Sequence, residues 1–205
     1  MALKYQIPTW LQHCYRGVMW RGDRTRKVVY FTFDDGPVPE VTPLLLDILK
    51  RENVTATFFM VGENAANHLE LLQRVLDEGH RVGNHTYNHF RGTKYNLTTY
   101  IANVVQAAKV LGGTLLFRPP YGRLTRVEKN TLLAQDYKIV LWDILTHDYD
   151  AAYSSEKIVR IVRKHVRNGS IINFHDSVKS GERMLSAVPQ VIAELREQGY
   201  EFETL

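Results

Sequence analysis

The chain has 205 residues, 44% hydrophobic and 23% charged, which fits one soluble globular domain with room for a real core. Its net charge of +4 is spread along the chain with no basic stripe interleaved with aromatics, so nucleic acid is not an expected partner. Cys14 is the only cysteine, which excludes an intrachain disulfide, and no apolar run is long enough for a membrane span.

Residues 1–26 read as an N-terminal cap segment. Trp10, Leu11, Tyr15, Val18, Met19 and Trp20 mark a short amphipathic helix packed on the domain, followed by a polar loop with the basic run Arg21 to Lys27. Cys14 is expected to be inert. Pro8, Gln12, His13 and Arg16 interrupt any signal-peptide core, and the expectation is a cytoplasmic location.

Val28 to Phe33 is a β-branched and aromatic run, expected as a buried strand and stopped by Gly36-Pro37. Pro43 suits a first helical turn with Thr42 as its cap, and Leu44, Leu45, Ile48 and Leu49 repeat at helical spacing. Val54 to Val61 is a second strand. Leu69, Leu72, Val75 and Leu76 mark a helix, and Arg81 to Gly83 a short third strand. Ile101 to Leu111 is helical and Leu115 to Phe117 a fourth strand. Thr125 and Glu128 form a capping box for the next helix. Lys138 to Trp142 is a fifth strand, Ile158 to Val166 a helix, and Ser170 to Phe174 a sixth strand. A last helix carries Val188, Val191, Ile192 and Leu195, and Tyr200 to Leu205 is a seventh strand.

Gly79, Gly113, Gly169 and Gly199 each stand between a helix and a strand. Alternating βα units imply a parallel sheet with crossover helices. Seven such units over residues 27–205 suit a single-domain α/β fold, a distorted seven-stranded (β/α) barrel.

Asp34 and Asp35 close the first strand. Adjacent carboxylates there repel each other and lose hydration, and a cation relieves both costs. This reads as a metal ligand beside a general base, or else as an Asp-Gly turn. His85 and His89 lie four apart, a spacing that suits a transition metal. One carboxylate with two imidazoles leaves coordination positions open, as in catalytic sites. Every candidate motif follows a strand, at the face where such folds place their chemistry.

Thr32-Phe-Asp-Asp-Gly-Pro37, His85-Thr-Tyr-Asn-His89, Arg118-Pro-Pro-Tyr-Gly122 and Phe174-His175-Asp176 occur in that order. Together they resemble the polysaccharide deacetylases, the NodB homology domain of carbohydrate esterase family 4, from about Val28 to the C-terminus. The resemblance implies that Asp35, His85 and His89 bind one divalent metal, most often zinc, with cobalt, manganese or nickel as alternatives. It implies that Asp34 is the general base, that His175 is the acid for the leaving amine, and that the Tyr121 backbone N–H helps hold the oxyanion. Arg118 matches the arginine that pairs with the base. The implied substrate is an acetylated glycan or amino sugar, and the implied reaction is removal of its N-acetyl groups.

Two departures stand out. Asn173 occupies a position where the family usually has a leucine lining the acetyl pocket, and a polar group there weakens an apolar pocket unless it is bonded. The stretch from Trp142 to Tyr149 resembles the fourth family motif imperfectly. Leu145 stands where an aspartate is common and Tyr149 where a tryptophan is common. Either Asp148 or Asp143 is expected to orient His175. Tyr87, Tyr95, Tyr121 and Tyr149 are candidates to stack on a sugar ring, and His147 is a candidate for the rim. His13, His68, His80 and His165 are expected in surface or packing roles. Two other readings accompany the deacetylase: an O-acetyl (xylan-type) esterase, and a non-catalytic glycan-binding protein on the same fold.

Overall fold

A computed structural model of the chain describes residues 5–205. The side chains of Leu11 and Cys14 lie outside the described set, and with them the roles expected of those two residues. The elements run in chain order as α1 (Thr9–Cys14), β1 (Val18–Met19), β2 (Val28–Asp34), α2 (Thr42–Arg51), β3 (Thr57–Met60), α3 (Gly62–Asn67), α4 (Leu69–Asp77) and β4 (Arg81–Asn84). Then come α5 (Leu97–Val110), β5 (Leu116–Phe117), α6 (Arg126–Ala134), β6 (Lys138–Val140), β7 (Ile144–Leu145), α7 (Ser155–His165), β8 (Ile171–His175), α8 (Gly181–Glu197) and β9 (Glu201–Phe202).

All strand pairs are parallel, in the order β1-β6-β5-β4-β3-β2-β8-β7, with β9 against the start of β2. The distorted parallel barrel expected from the βα rhythm is the fold found. Among the described residues it has two strands beyond the seven expected. One is β7. The other, β1, comes from the segment read as a cap and polar loop: Val18 and Met19 pair with Ile139 and Val140 of β6. The same segment also reaches the far side of the sheet, where Gln6 bridges Ile144 and Arg21 bridges Ser170. Residues 6–21 therefore touch both edges of the sheet.

All seven residues of β2 are buried, because helices cover one face and the barrel interior the other. Strand alternation sorts them. Phe31 and Phe33 face the helices, where Phe33 stacks on Phe58 and Phe174 at 5.2 and 5.6 Å. Leu45, Leu46 and Leu49 of α2 and Met184, Val188, Val191 and Leu195 of α8 complete that layer. Leu44, expected on the apolar face, is exposed, and Leu46 takes its place. Val28 and Tyr30 turn to the interior with Phe59, Val140 and Ile171.

The same alternation builds the site. Thr32 and Asp34 share the inner parity of Tyr30, and Asn173 and His175 share that of Ile171. The β2–β8 register sets Thr32 against Asn173 and Asp34 against His175. Two carboxylate- and imidazole-bearing strand ends thus meet at the C-terminal rim of the sheet.

Candidate active site

Arg118 follows β5 and its side chain is fully buried inside the barrel. Its Nη1 donates to Asp34 Oδ1 at 2.6 Å, to Thr32 Oγ1 at 2.8 Å and to Asn173 Oδ1 at 2.8 Å. Nη2 donates to the Leu141 carbonyl at 3.0 Å, and the guanidinium lies 4.0 Å from the centre of the Phe59 ring. Burial pulls the Arg118 pKa down, and the charge of Asp34 opposes that pull. The planar fork fixes which way the Asp34 carboxylate faces.

His175 closes β8. Its Nδ1 is 2.8 Å from Asp148 Oδ1, and its backbone N–H donates to Asp148 Oδ2 at 2.7 Å. Burial alone would lower the His175 pKa, but Asp148, with help from Asp35 and Asp34, raises it to about 9. The Asp148 contact favours the imidazolium. Asp143, the other candidate partner, does not belong to the site. Its buried carboxylate accepts from Arg167 Nε, Ser170 Oγ and Gln6 Nε2 at 2.9, 2.8 and 3.2 Å. Asp143 ties the N-terminal segment to the β7–β8 edge.

Asp35, His85 and His89 offer ligand atoms that all lie within 4.8 Å of one another. Asp35 Oδ1 is 3.2 Å from His89 Nε2 and 3.6 Å from His85 Nε2. His85 Nδ1 sits 2.7 Å from the Arg118 carbonyl. A carbonyl only accepts, so Nδ1 carries the proton and Nε2 presents its lone pair to the cluster. Burial lowers the His85 pKa to about 4, which keeps the ring in the neutral, ligating form. Burial pushes Asp35 up, but its bond to His89 and the charges of His175 and His85 outweigh that and hold it well below the ordinary carboxylate range. This donor set, one anionic oxygen and two neutral nitrogens, fits a divalent transition metal. Asp35, His89 and Tyr121 all have left-handed backbones, with φ of 84°, 54° and 60°. Such strain in non-glycine residues gathers where function holds it.

These groups line one cavity of about 360 Å³, with Tyr121, Trp142, Tyr149 and Asn173 as further walls. Of the four tyrosines expected to stack on a sugar, two are elsewhere. Tyr95 lies flat on Phe90 at 3.8 Å, and Tyr87 packs against the core. His147 stacks on Tyr153 at 5.2 Å and is not a wall of the cavity. His80 is buried, with Nδ1 accepting from the Ala56 N–H at 3.1 Å, a packing role.

Asp176, named in the sequence only as the end of the Phe174-His175-Asp176 motif, belongs to the framework of the site. It is buried, accepting from the Gly36 N–H at 3.0 Å and from Thr42 Oγ1 at 2.7 Å. Its carboxylate presses on Gly36 where any Cβ would stand, so glycine is required there. Thr42 is consequently not the helix cap expected of it: Val41 holds that position without a side-chain bond. Asp176 thus ties the loop after β8 to the loop that follows Asp34 and carries Asp35. Ser177 and Lys179, also unforeseen, line the cavity from the same loop. Their only sequence signal is their closeness to His175.

The polysaccharide deacetylase family pattern matches residues 21–140. The chain belongs to the polysaccharide deacetylase family. This family member is 34% identical over 193 residues to a peptidoglycan-N-acetylglucosamine deacetylase of Bacillus cereus, covering 92% of this chain and 91% of that protein. Its fold superposes with a TM-score of 0.90 on a crystal structure of a peptidoglycan N-acetylglucosamine deacetylase bound to 4-naphthalen-1-yl-N-oxidanyl-benzamide, at 32% identity over 97% of this chain and 95% of that one. The Xyl-CE4 domain of a multidomain xylanase from the hindgut metagenome of Trinervitermes trinervoides gives a TM-score of 0.81 at 30% identity, covering 88% of each chain.

Proposed function

We propose that this deacetylase-family chain is a metal-dependent hydrolase that removes N-acetyl groups from an N-acetylglucosamine-containing glycan of peptidoglycan or chitin type. The observation that carries the reading is one cavity holding three separate devices: Asp34 on Arg118, His175 on Asp148, and the Asp35, His85 and His89 cluster. A glycan-binding protein needs none of them.

Asp35, His85 and His89 would hold the cation, zinc first, with cobalt, manganese or nickel as substitutes. Bound there, a divalent ion supplies Lewis acidity, lowering the pKa of a water toward about 7 and polarising the acyl oxygen. Asp34, held in place by Arg118, takes the proton from the attacking water. The Tyr121 backbone N–H donates to the acyl oxygen as it becomes negative. His175 gives its proton to the departing nitrogen as the C–N bond breaks. The products are a free acid and a free amine on the sugar.

The Asp148 contact that favours a protonated His175 supports an amide over an ester. An amine leaves only after its nitrogen is protonated, whereas an alkoxide needs less help, and an imidazolium is the form that serves the harder case. Acid release from N-acetylchitooligosaccharides, peptidoglycan and O-acetylated xylan tests the assignment. Release from the N-acetyl glycans is expected. Release from the ester alone would overturn the amide reading, and binding without release would leave the glycan-binding one.

A further inference from the structure

Asp148 orients His175 with its carboxylate, yet it lies in a turn between β7 and α7 and in no regular element. His147, just before it, has a left-handed backbone with φ of 58°, so the turn is strained as well as irregular. The carboxylate stays on the ring only if the main chain of this turn is held. Among the described residues, one hydrogen bond reaches the Asp148 carbonyl: Arg183 Nε donates to it at 2.9 Å. Nη2 of the same guanidinium donates to the Lys179 carbonyl at 2.6 Å. One planar group thus fixes the spacing of two loops.

These loops flank His175. Tyr149, beside one carbonyl, sets its ring at 87° to that of His175 with the centres 5.0 Å apart. Lys179, at the other carbonyl, brings Nζ to 5.9 Å from the centre of the Tyr149 ring. Both side chains are walls of the cavity. Arg183 itself stands in the first turn of α8, on a rigid base: Met184 is fully buried, and Gly181 meets Val41 where a Cβ would stand. A cation in a first helical turn opposes the helix dipole, so α8 gains nothing from this charge. No carboxylate among the described residues pairs with it, and its bonds go to the two carbonyls.

We propose that Arg183 is a positioning residue for His175: by pinning the Asp148 main chain to the loop after β8, it keeps the Asp148 carboxylate on the ring. What His175 does rests on the deacylase reading above; where its ring points rests on the hydrogen bonds alone. Arg183 is not a wall of the cavity, so it acts through Asp148 and not on the substrate. A plain brace between two loops adds stability only. A positioning residue also sets the ring and, through it, kcat.

The test reads the ring directly. In metal-free protein the Hε1–Cε1 NMR cross-peak of His175 does not exchange with water, and its loss in His175→Gln assigns it. Arg183→Ala should move that peak and leave the peak of His80, at the N-terminal end of β4, in place. With zinc-loaded protein and an N-acetylchitooligosaccharide, Arg183→Ala should lower kcat by roughly tenfold or more and leave KM within about twofold, the pattern of a displaced reacting group. Arg183→Lys, whose single ammonium serves one carbonyl, should fall between the two in both readouts. An unmoved His175 peak, or a kcat that stays at the wild-type value, would overturn the proposal. If Arg183→Ala does not fold, Arg183→Lys decides by the same readouts. If the wild type releases no acid, the deacylase reading itself fails. The peak then still decides for Arg183: a moved peak supports the positioning, and an unmoved one overturns it.

Discussion

Asp148 holds His175 at two points, Oδ2 on the backbone N–H at 2.7 Å and Oδ1 at Nδ1 at 2.8 Å. The pair orients the ring, leaving Nε2 for the proton transfer proposed above, and it overcomes burial to raise the pKa to about 9. A general acid works only while protonated, so activity should fall as pH rises through about 9. Asp148→Asn removes the charge that raises the pKa. The alkaline limb of the kcat–pH profile should move down toward the ordinary histidine range near ~6.5, with kcat at neutral pH reduced by roughly a hundredfold.

Arg118→Lys keeps a charge but loses the fork. One ammonium cannot serve Asp34, Thr32, Asn173 and the Leu141 carbonyl together, nor lie flat on Phe59. Breaking a buried pair costs about 3–5 kcal/mol, and the lysine variant should lose a large part of that in chemical denaturation. Its kcat/KM should drop by more than about a hundredfold, the scale of a misplaced reacting group.

Asp176 gives a pH-dependent stability. Burial, reinforced by the charge of Asp35 and opposed by the bond from Thr42, raises its pKa from 3.8 to about 8. The folded chain then holds a proton that the unfolded chain releases, so this group's contribution to stability falls as pH rises from 3.8 through about 8. Urea unfolding of metal-free protein should show that decline in the wild type and a shallower one in Asp176→Asn. At pH 5 the variant should lie within about 1 kcal/mol of the wild type, because the protonated carboxyl and the amide alike offer one oxygen to the Gly36 N–H and one donor to Thr42 Oγ1.

A cation held by Asp35, His85 and His89, as proposed, would bind the folded chain and not the unfolded one. Zinc at about a thousandfold over its Kd should therefore stabilise by about 4 kcal/mol and raise the Tm, and a chelator should reverse the rise. His85→Ala should abolish the zinc-dependent shift, and its metal-free Tm should also fall, because the ring is buried and its Nδ1 donates to the Arg118 carbonyl. A shift that survives in His85→Ala would place the cation elsewhere.

Much of the site was legible because each of its parts is local. The carboxylates end a strand, the histidines lie four apart, and Arg118 and His175 follow strands that announce themselves by composition. Partner choice was harder to read. Asp143 and Asp148 are five residues apart around a short strand, and nothing in their neighbours says that one turns to Arg167 and the other to His175. Nor could β1 be foreseen. It is two residues long, and its partner β6 lies about 120 positions downstream, so its pairing is a tertiary fact with no periodicity behind it. Asp176 has no visible role in the sequence, because its partners, Gly36 and Thr42, are distant in sequence and meet it only through the β2–β8 register.

The central claim is that this cavity breaks an acyl amide by means of a cation and the Asp34 carboxylate. Acid release from N-acylated chitooligosaccharides, comparing metal-stripped protein, zinc- or cobalt-reloaded protein and reloaded Asp34→Asn, tests it most directly. The account predicts release that appears on reloading and is lost, by roughly a hundredfold or more, in Asp34→Asn. Undiminished release by the stripped protein or by Asp34→Asn, or none with any metal although the metal is bound, would contradict it.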